Sequence, residues 1–263
     1  MATIDGTKNN DTLSGTAGDD LIKASDGDDI INGSDGSDTL DGGAGLDTAN
    51  YVGLQVAIIA NLVTGKVAKT NGGTDSLISI ERIMGTNFAD AMTGSSADDD
   101  FTGNLGDDTL DGGAGFDNAD YGNTNGAVNV DLQAGTAIGA AGSDTLISIE
   151  SVKGSAFDDT LLGSSADNTF MGEGGNFLRG AGGNDLIDGR DGFDHVDYGN
   201  DPGPVTVNVG TRSPTDGRGG KDTLISIEYV SGSRFGDMLK GDAGNNRLRG
   251  REVSGSAGLE SLA

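Results

Sequence analysis

The chain has no cysteine and no tryptophan, and His195 is its only histidine. Without cysteine there are no disulfides and no thiol chemistry, so a secreted chain of this kind would need another staple, which bound metal can supply. A lone histidine makes neither a zinc site nor a Ser-His-Asp triad. The zinc-protease motif His-Glu-x-x-His is absent too. Basic residues number 16 against 42 acidic ones, for a net charge of −26. That balance excludes nucleic acid, whose phosphates need a basic face, and opposes an anionic membrane unless cations intervene. Aromatics are 5% and hydrophobic residues 34%, poor material for a globular core. No apolar run approaches the roughly 20 residues that span a bilayer, so no transmembrane segment is expected. The first six residues carry neither the basic region nor the apolar run of a Sec-type signal.

Glycine is abundant, at 48 residues, and all but six of the acidic residues are aspartate. Both follow a period of nine. Asp11, Asp20, Asp29, Asp38 and Asp47 are nine apart, and two residues after each stands Leu13, Ile22, Ile31, Leu40 or Ala49. Before each lies a small or polar run such as Gly42-Gly43-Ala44-Gly45-Leu46. Glycines let a tight turn fold its carbonyls towards one point, and the aspartate adds a hard anionic oxygen. That donor set suits Ca²⁺. The three residues around each apolar position are too few for a helix and read as a short strand with its apolar side chain inward. Paired carboxylates recur everywhere, so no single pair signals glycosidase chemistry.

The unit resembles the nonapeptide G-G-x-G-x-D-x-U-x of the RTX, or hemolysin-type, calcium-binding family. The resemblance implies an all-β chain: a parallel β-roll, or β-solenoid, of nonapeptide repeats interrupted by strand-rich spacers. Two units make one coil of eighteen residues, and turns two units apart stack with an ion between them. In the family the lower turn offers the carbonyls of its second and fourth residues and its Asp; the upper turn offers those of its first and third residues and its Asp. Carried over, one site takes Thr7, Asn9 and Asp11 with Ala24, Asp26 and Asp29. The next takes Ser25, Gly27 and Asp29 with Gly42, Ala44 and Asp47. On the other edge Thr16, Gly18 and Asp20 face Gly33, Asp35 and Asp38. Further on, Asp90 faces Gly103, Leu105 and Asp108, while Ser95, Ala97 and Asp99 face Gly112, Ala114 and Asp117. The last sites use Gly180, Gly182 and Asp185, then Gly189, Asp191 and Asp194. On the order of five to seven ions are expected, with about six oxygens each. The neighbouring Asp19, Asp28, Asp98 and Asp107 are expected to face solvent or lend outer-shell charge.

The nines come in blocks: 1–51, 85–121, 154–198 and a partial 232–250, separated by spacers at 52–84, 122–153 and 199–231, with a tail at 251–263. In the third block Asn168 replaces an Asp and the unit from Gly172 has eight residues, so that block is expected to be poorer in metal. Tyr51, Tyr121 and Tyr198 close the first three blocks, and Leu-Ile-Ser-Ile-Glu recurs at 77–81, 146–150 and 224–228. This motif reads as a core strand with a capping acid, and 77–83 as one strand. Nested repeats argue for one elongated solenoid. The spacers are expected to continue the coil. Phe88, Phe157 and Phe235, in turns that usually hold small residues, are expected to plug the core and to weaken calcium at that edge. Residues 250–263 show no convincing signal helix, which fits either a cryptic export signal or a fragment.

The resemblance implies a non-enzymatic, secreted calcium-binding solenoid with a structural or adhesive role at a cell surface or in a matrix. Type I export from a Gram-negative bacterium, and surface polysaccharide or other cell-surface components as partners, are the matching expectations. The competing reading is a carrier or secretion module of a larger RTX enzyme or toxin whose active domain lies elsewhere. A membrane-active pore would need an apolar or acylated segment, and none is visible. Nor is there the outward Thr-x-Asn ladder of an ice-binding solenoid.

Overall fold

The computed structural model describes residues 1–251 and the short strand Ser261–Leu262. The expectation about a signal helix at 250–263 therefore falls largely outside the described residues. Apart from a 3₁₀ turn at Val209–Thr211, every described element is a β-strand, most of them three residues long. Contacts divide the chain into two units, Met1–Tyr121 with Ala141–Ile149, and Gly122–Ala140 with Glu150–Ala263.

In the first unit the strands form two sheets. Ile22 lies opposite Leu40 in one, and Leu13, Ile31 and Ala49 line up in the other, all in parallel pairs offset by 18 residues. One coil is thus two nonapeptides. The second residue of these strands points inward: Ile22, Ile31, Leu40, Ala49, Ile83, Met92, Phe101 and Leu110 are all at most 1% exposed. Each such Ile, Leu, Met or Phe contributes about 1.5–3 kcal/mol by burial. Because every coil supplies only two of them, the core is one side chain thick. Close packing shows at Gly33, where any Cβ would overlap the ring of the buried Tyr51.

The first spacer enters the sheet instead of standing off it. Ile58–Asn61, Lys66–Lys69 and Thr74–Ile78 form an antiparallel meander. Its outer strands pair in parallel with the flanking blocks, Leu77 opposite Leu40 and Ala60 opposite Met92. The other sheet receives only Arg82–Met84, set between Thr48–Asn50 and Asp100–Thr102.

Residues 77–83 are not one strand. Leu77 ends one sheet and Ile83 enters the other, with the corner at Ser79 in left-handed backbone (φ 49°). Ser148 and Ser226 repeat this turn (φ 50° and 53°). The corner lets Leu77 and Ile80 both stay buried while Ile78 faces out, a placement that a straight strand with its period of two cannot give. Glu81 then caps the stack, its Oε2 accepting the Asp47 N–H at 3.0 Å. In the second unit Glu228 does the same for Asp194.

The second unit repeats the plan. Leu161 and Leu178 share one register, as do Phe170 and Ile187, and all four are fully buried. Val128–Asp131 forms a hairpin with Thr136–Gly139 and also pairs in parallel with Thr160–Leu162.

The three phenylalanines are not core plugs. Phe88, Phe157 and Phe235 are 42–46% exposed. The inward places belong to Thr86, Ser155 and Ser233, each fully buried, whose hydroxyls accept the N–H of the phenylalanine two residues on. A hydroxyl that closes its own turn leaves the ring no route into the core.

Candidate metal centre

The aspartates of stacked turns are joined in ladders. The Asp11 N–H donates to Asp29 Oδ1 at 2.7 Å, and the Asp29 N–H to Asp47 Oδ1 at 2.9 Å. Asp20 and Asp38, Asp90 and Asp108, Asp99 and Asp117, and Asn168 and Asp185 are linked likewise at 2.8–2.9 Å. Every turn pair assigned above is therefore brought together. Where a second aspartate precedes the ladder aspartate, it bonds in the opposite direction. Asp19, Asp28, Asp98 and Asp107 accept backbone N–H groups from the following coil at 2.8–2.9 Å. They are exposed, as expected, but they tie coils together and are not merely solvated.

Two classes of turn recur. In the first, a Thr or Ser is the second residue: Thr7, Thr16, Thr86, Ser95 and Ser155. Its N–H donates to Oδ2 of the turn's own aspartate at 2.5–2.6 Å, and its hydroxyl accepts an N–H two residues on. Such a turn is closed by its own chain. In the second class the second residue is left-handed: Ser25 (φ 88°), Gly43 (100°), Asn104 (70°), Ala181 (73°) and Arg190 (59°). There Oδ2 of Asp29, Asp47, Asp108, Asp185 and Asp194 is buried and receives no hydrogen bond. Close stacking accompanies the open turns, since a Cβ at Gly45 (φ 142°) would strike the Gly27 carbonyl one coil below.

An anionic oxygen buried without a donor is costly. Burial accordingly raises the Asp47 carboxyl, and pushes Asp108 up to about 8, Asp185 to about 7 and Asp194 to about 6. The closed turn at Asp20 shows the converse, its pKa lowered by the N–H groups of Ala2 and Thr16. Closure does not always win: burial still raises Asp90 and Asp159.

The donor set fits a hard divalent cation. No three Asp, Glu or His side chains converge as a ready cluster among the described residues, so backbone carbonyls would complete each shell. Two assigned carbonyls, those of Ala44 and Ser95, also accept N–H groups from Gly27 and Ala114. A carbonyl's second lone pair leaves room for a metal. Asp29 with Asp47 is the one assigned pair in the first block whose two turns are both open. Asn176 takes the aspartate's place in the eight-residue unit. Its amide donates to the carbonyls of Glu173 and Gly174 and to Asp194 Oδ1 at 3.0–3.2 Å, so an N–H₂ group meets oxygens that a cation would otherwise meet.

The model of the RTX calcium-binding nonapeptide repeat (4 copies) matches residues 5–40, 14–49, 84–119, 149–176, 172–201 and 228–252. The chain belongs to this family. Its repeats are calcium-binding repeats. The spacers at 50–83, 120–148 and 202–227 lie outside the matched residues. No curated protein matches significantly. Among solved structures the chain is similar to the extracellular lipase LipA from Serratia marcescens, at 18% identity and a TM-score of 0.27, over 85% of this chain and 37% of that one. The chain spans well under half of that lipase, and so distant a likeness carries no argument.

Sequence reasoning missed the spacer aspartates. Asp38 N–H donates to Asp75 Oδ1, Asp108 N–H to Asp144 Oδ1 and Asp185 N–H to Asp222 Oδ1 at 2.8–3.1 Å. The other oxygen of each takes the hydroxyl of Tyr51, Tyr121 or Tyr198 at 3.0 Å. The signal was there, as an Asp two before each Leu-Ile-Ser-Ile-Glu. His195 stacks on Tyr229 at 3.9 Å and meets Ser231 Oγ at 2.8 Å, with burial lowering its pKa.

Proposed function

We propose that this chain is a secreted, non-enzymatic calcium-binding solenoid that folds when it meets extracellular calcium and then serves as a rigid structural or adhesive element at a cell surface or in a matrix. The buried, donor-less carboxylate oxygens of the open turns carry this reading. Stacked in a chain of charge −26, they repel one another until cations neutralise them. Extracellular calcium, about millimolar, fits the weak affinity class of oxygen-ligand modules. The cytosol holds far less, so the chain stays unfolded before type I export and folds after it. The matching partner is an oxygen-rich surface component such as a polysaccharide, bridged by shared calcium. The test is secretion with and without a type I exporter, followed by calcium-dependent retention on the producing cells. Retention that survives excess chelator sinks the adhesive role, and export without the exporter sinks the route.

A further inference from the structure

Lys69 is a fully buried cation in a spacer that the family repeat does not cover. Its ammonium donates to the carbonyls of Ser34 and Gly36, the latter at 3.0 Å, and to Asp75 Oδ1 at 2.7 Å, with Asp38 Oδ2 at 3.9 Å. These are the second and fourth carbonyls and the aspartate of one turn, together with the aspartate stacked on it. An ammonium therefore sits among the oxygens that a metal would take.

The third spacer has the same frame with the charge reversed. Lys69 stands eighteen residues after Tyr51 and six before Asp75; Asp216 stands eighteen after Tyr198 and six before Asp222. The surrounding hydrogen bonds match: Tyr198 to Asp222 repeats Tyr51 to Asp75, and Asp185 to Asp222 repeats Asp38 to Asp75. Gly220 crowds the Gly183 carbonyl as Gly73 crowds that of Gly36. The carbonyls equivalent to those of Ser34 and Gly36 belong to Ala181 and Gly183. Asp216 and Asp185 are 3% and 2% exposed, and Oδ2 of each is buried without a hydrogen bond. The nearby Arg218 is turned to Asp201 at 3.3 Å.

We propose that this spacer step is a cation position filled in two ways: by the chain's own Lys69 ammonium in the first spacer, and by a free divalent cation, calcium, held by Asp185 and Asp216 with the carbonyls of Ala181 and Gly183 in the third. Two buried, unpartnered carboxylate oxygens there take the charge that Lys69 supplies in the first. The first step consequently needs no ion, and the third adds a calcium site that the nonapeptide pattern does not count. The proposal rests on the chain binding calcium at all, and its test separates the two claims.

The experiment is equilibrium dialysis of the full chain against calcium, with far-UV circular dichroism confirming the fold in calcium. Asp216→Lys is expected to bind one ion fewer than the wild type, and Lys69→Asp one ion more. Asp216→Asn keeps the test valid if the lysine variant does not fold, with one ion expected to bind at least tenfold more weakly. A wild type that binds no calcium defeats the calcium reading itself. A wild type that binds calcium, with unchanged stoichiometry and affinity in Asp216→Asn or no added ion in folded Lys69→Asp, overturns this proposal alone.

Discussion

Asp29 and Asp28 are adjacent acids with different jobs, and replacing each by alanine separates them. Asp28→Ala and Asp29→Ala remove the same charge. Each also removes one carboxylate acceptor for a backbone N–H, that of Leu46 at 2.9 Å for Asp28 and that of Asp11 at 2.7 Å for Asp29. A hydrogen bond to a charged group contributes about 1.5–3 kcal/mol, less where solvent competes, as at the exposed Asp28. That loss does not depend on calcium. Asp29 differs in its second oxygen, which is buried and free of donors between the Asp11 and Asp47 turns. If it ligates an ion on each side, its loss removes two sites. An ion held at ten times its Kd stabilises the fold by about 1.4 kcal/mol, so two sites contribute about 2.8 kcal/mol there. Each further decade of calcium adds about 1.4 kcal/mol per site. Urea unfolding, followed by far-UV circular dichroism at a series of calcium concentrations, reads this as a slope. Asp29→Ala should flatten the plot of stability against log calcium by up to two ions, whereas Asp28→Ala should shift it down in parallel. Parallel lines for wild type and Asp29→Ala, or equal flattening by Asp28→Ala, would refute the assignment.

Three other perturbations follow from the same geometry. Asp108 and Asp185 have folded pKa values raised from 3.8 to about 8 and about 7. The metal-free folded form therefore holds protons that the unfolded chain has released, and its stability falls as pH rises through that window. Calcium displaces those protons, so affinity should rise from pH 6 to pH 8 with measurable proton release, and a pH-independent affinity would contradict the shifts. Asn176→Asp replaces an amide that bonds two carbonyls with an anion, so it should destabilise the calcium-free chain and increase calcium binding, measured by calorimetric titration. Tyr51→Phe deletes the buried hydroxyl bond to Asp75 and should cost about 1.5–3 kcal/mol at every calcium concentration, seen as a parallel shift of the urea midpoint.

The period of nine made much of this legible. It placed Ile22, Ile31 and Leu40 inward and Asp29, Asp38 and Asp47 at the turns, because a repeating backbone leaves each position one environment. What it did not carry was the division of turns into closed and open, since Ser stands second both in the closed turn of Ser95 and in the open turn of Ser25. The corner at Ser79 was hidden because Leu77-Ile78-Ser79-Ile80 reads as a uniform strand until two sheets compete for its side chains. Phe88 was misread because size suggested the core, while the hydroxyl of Thr86 had already fixed which way the turn points. Lys69 gave no signal at all. A spacer lysine reads as a solvated charge, and only the fold sets it among the carbonyls of Ser34 and Gly36.

Calcium titration of the chelator-treated chain by far-UV circular dichroism tests the union of binding and folding most directly. Strand signal should be low in excess chelator and rise steeply over a narrow calcium range if, as proposed, each ion bridges two coils and several act in series. Strand signal already complete in excess chelator, unchanged by added calcium, would contradict it.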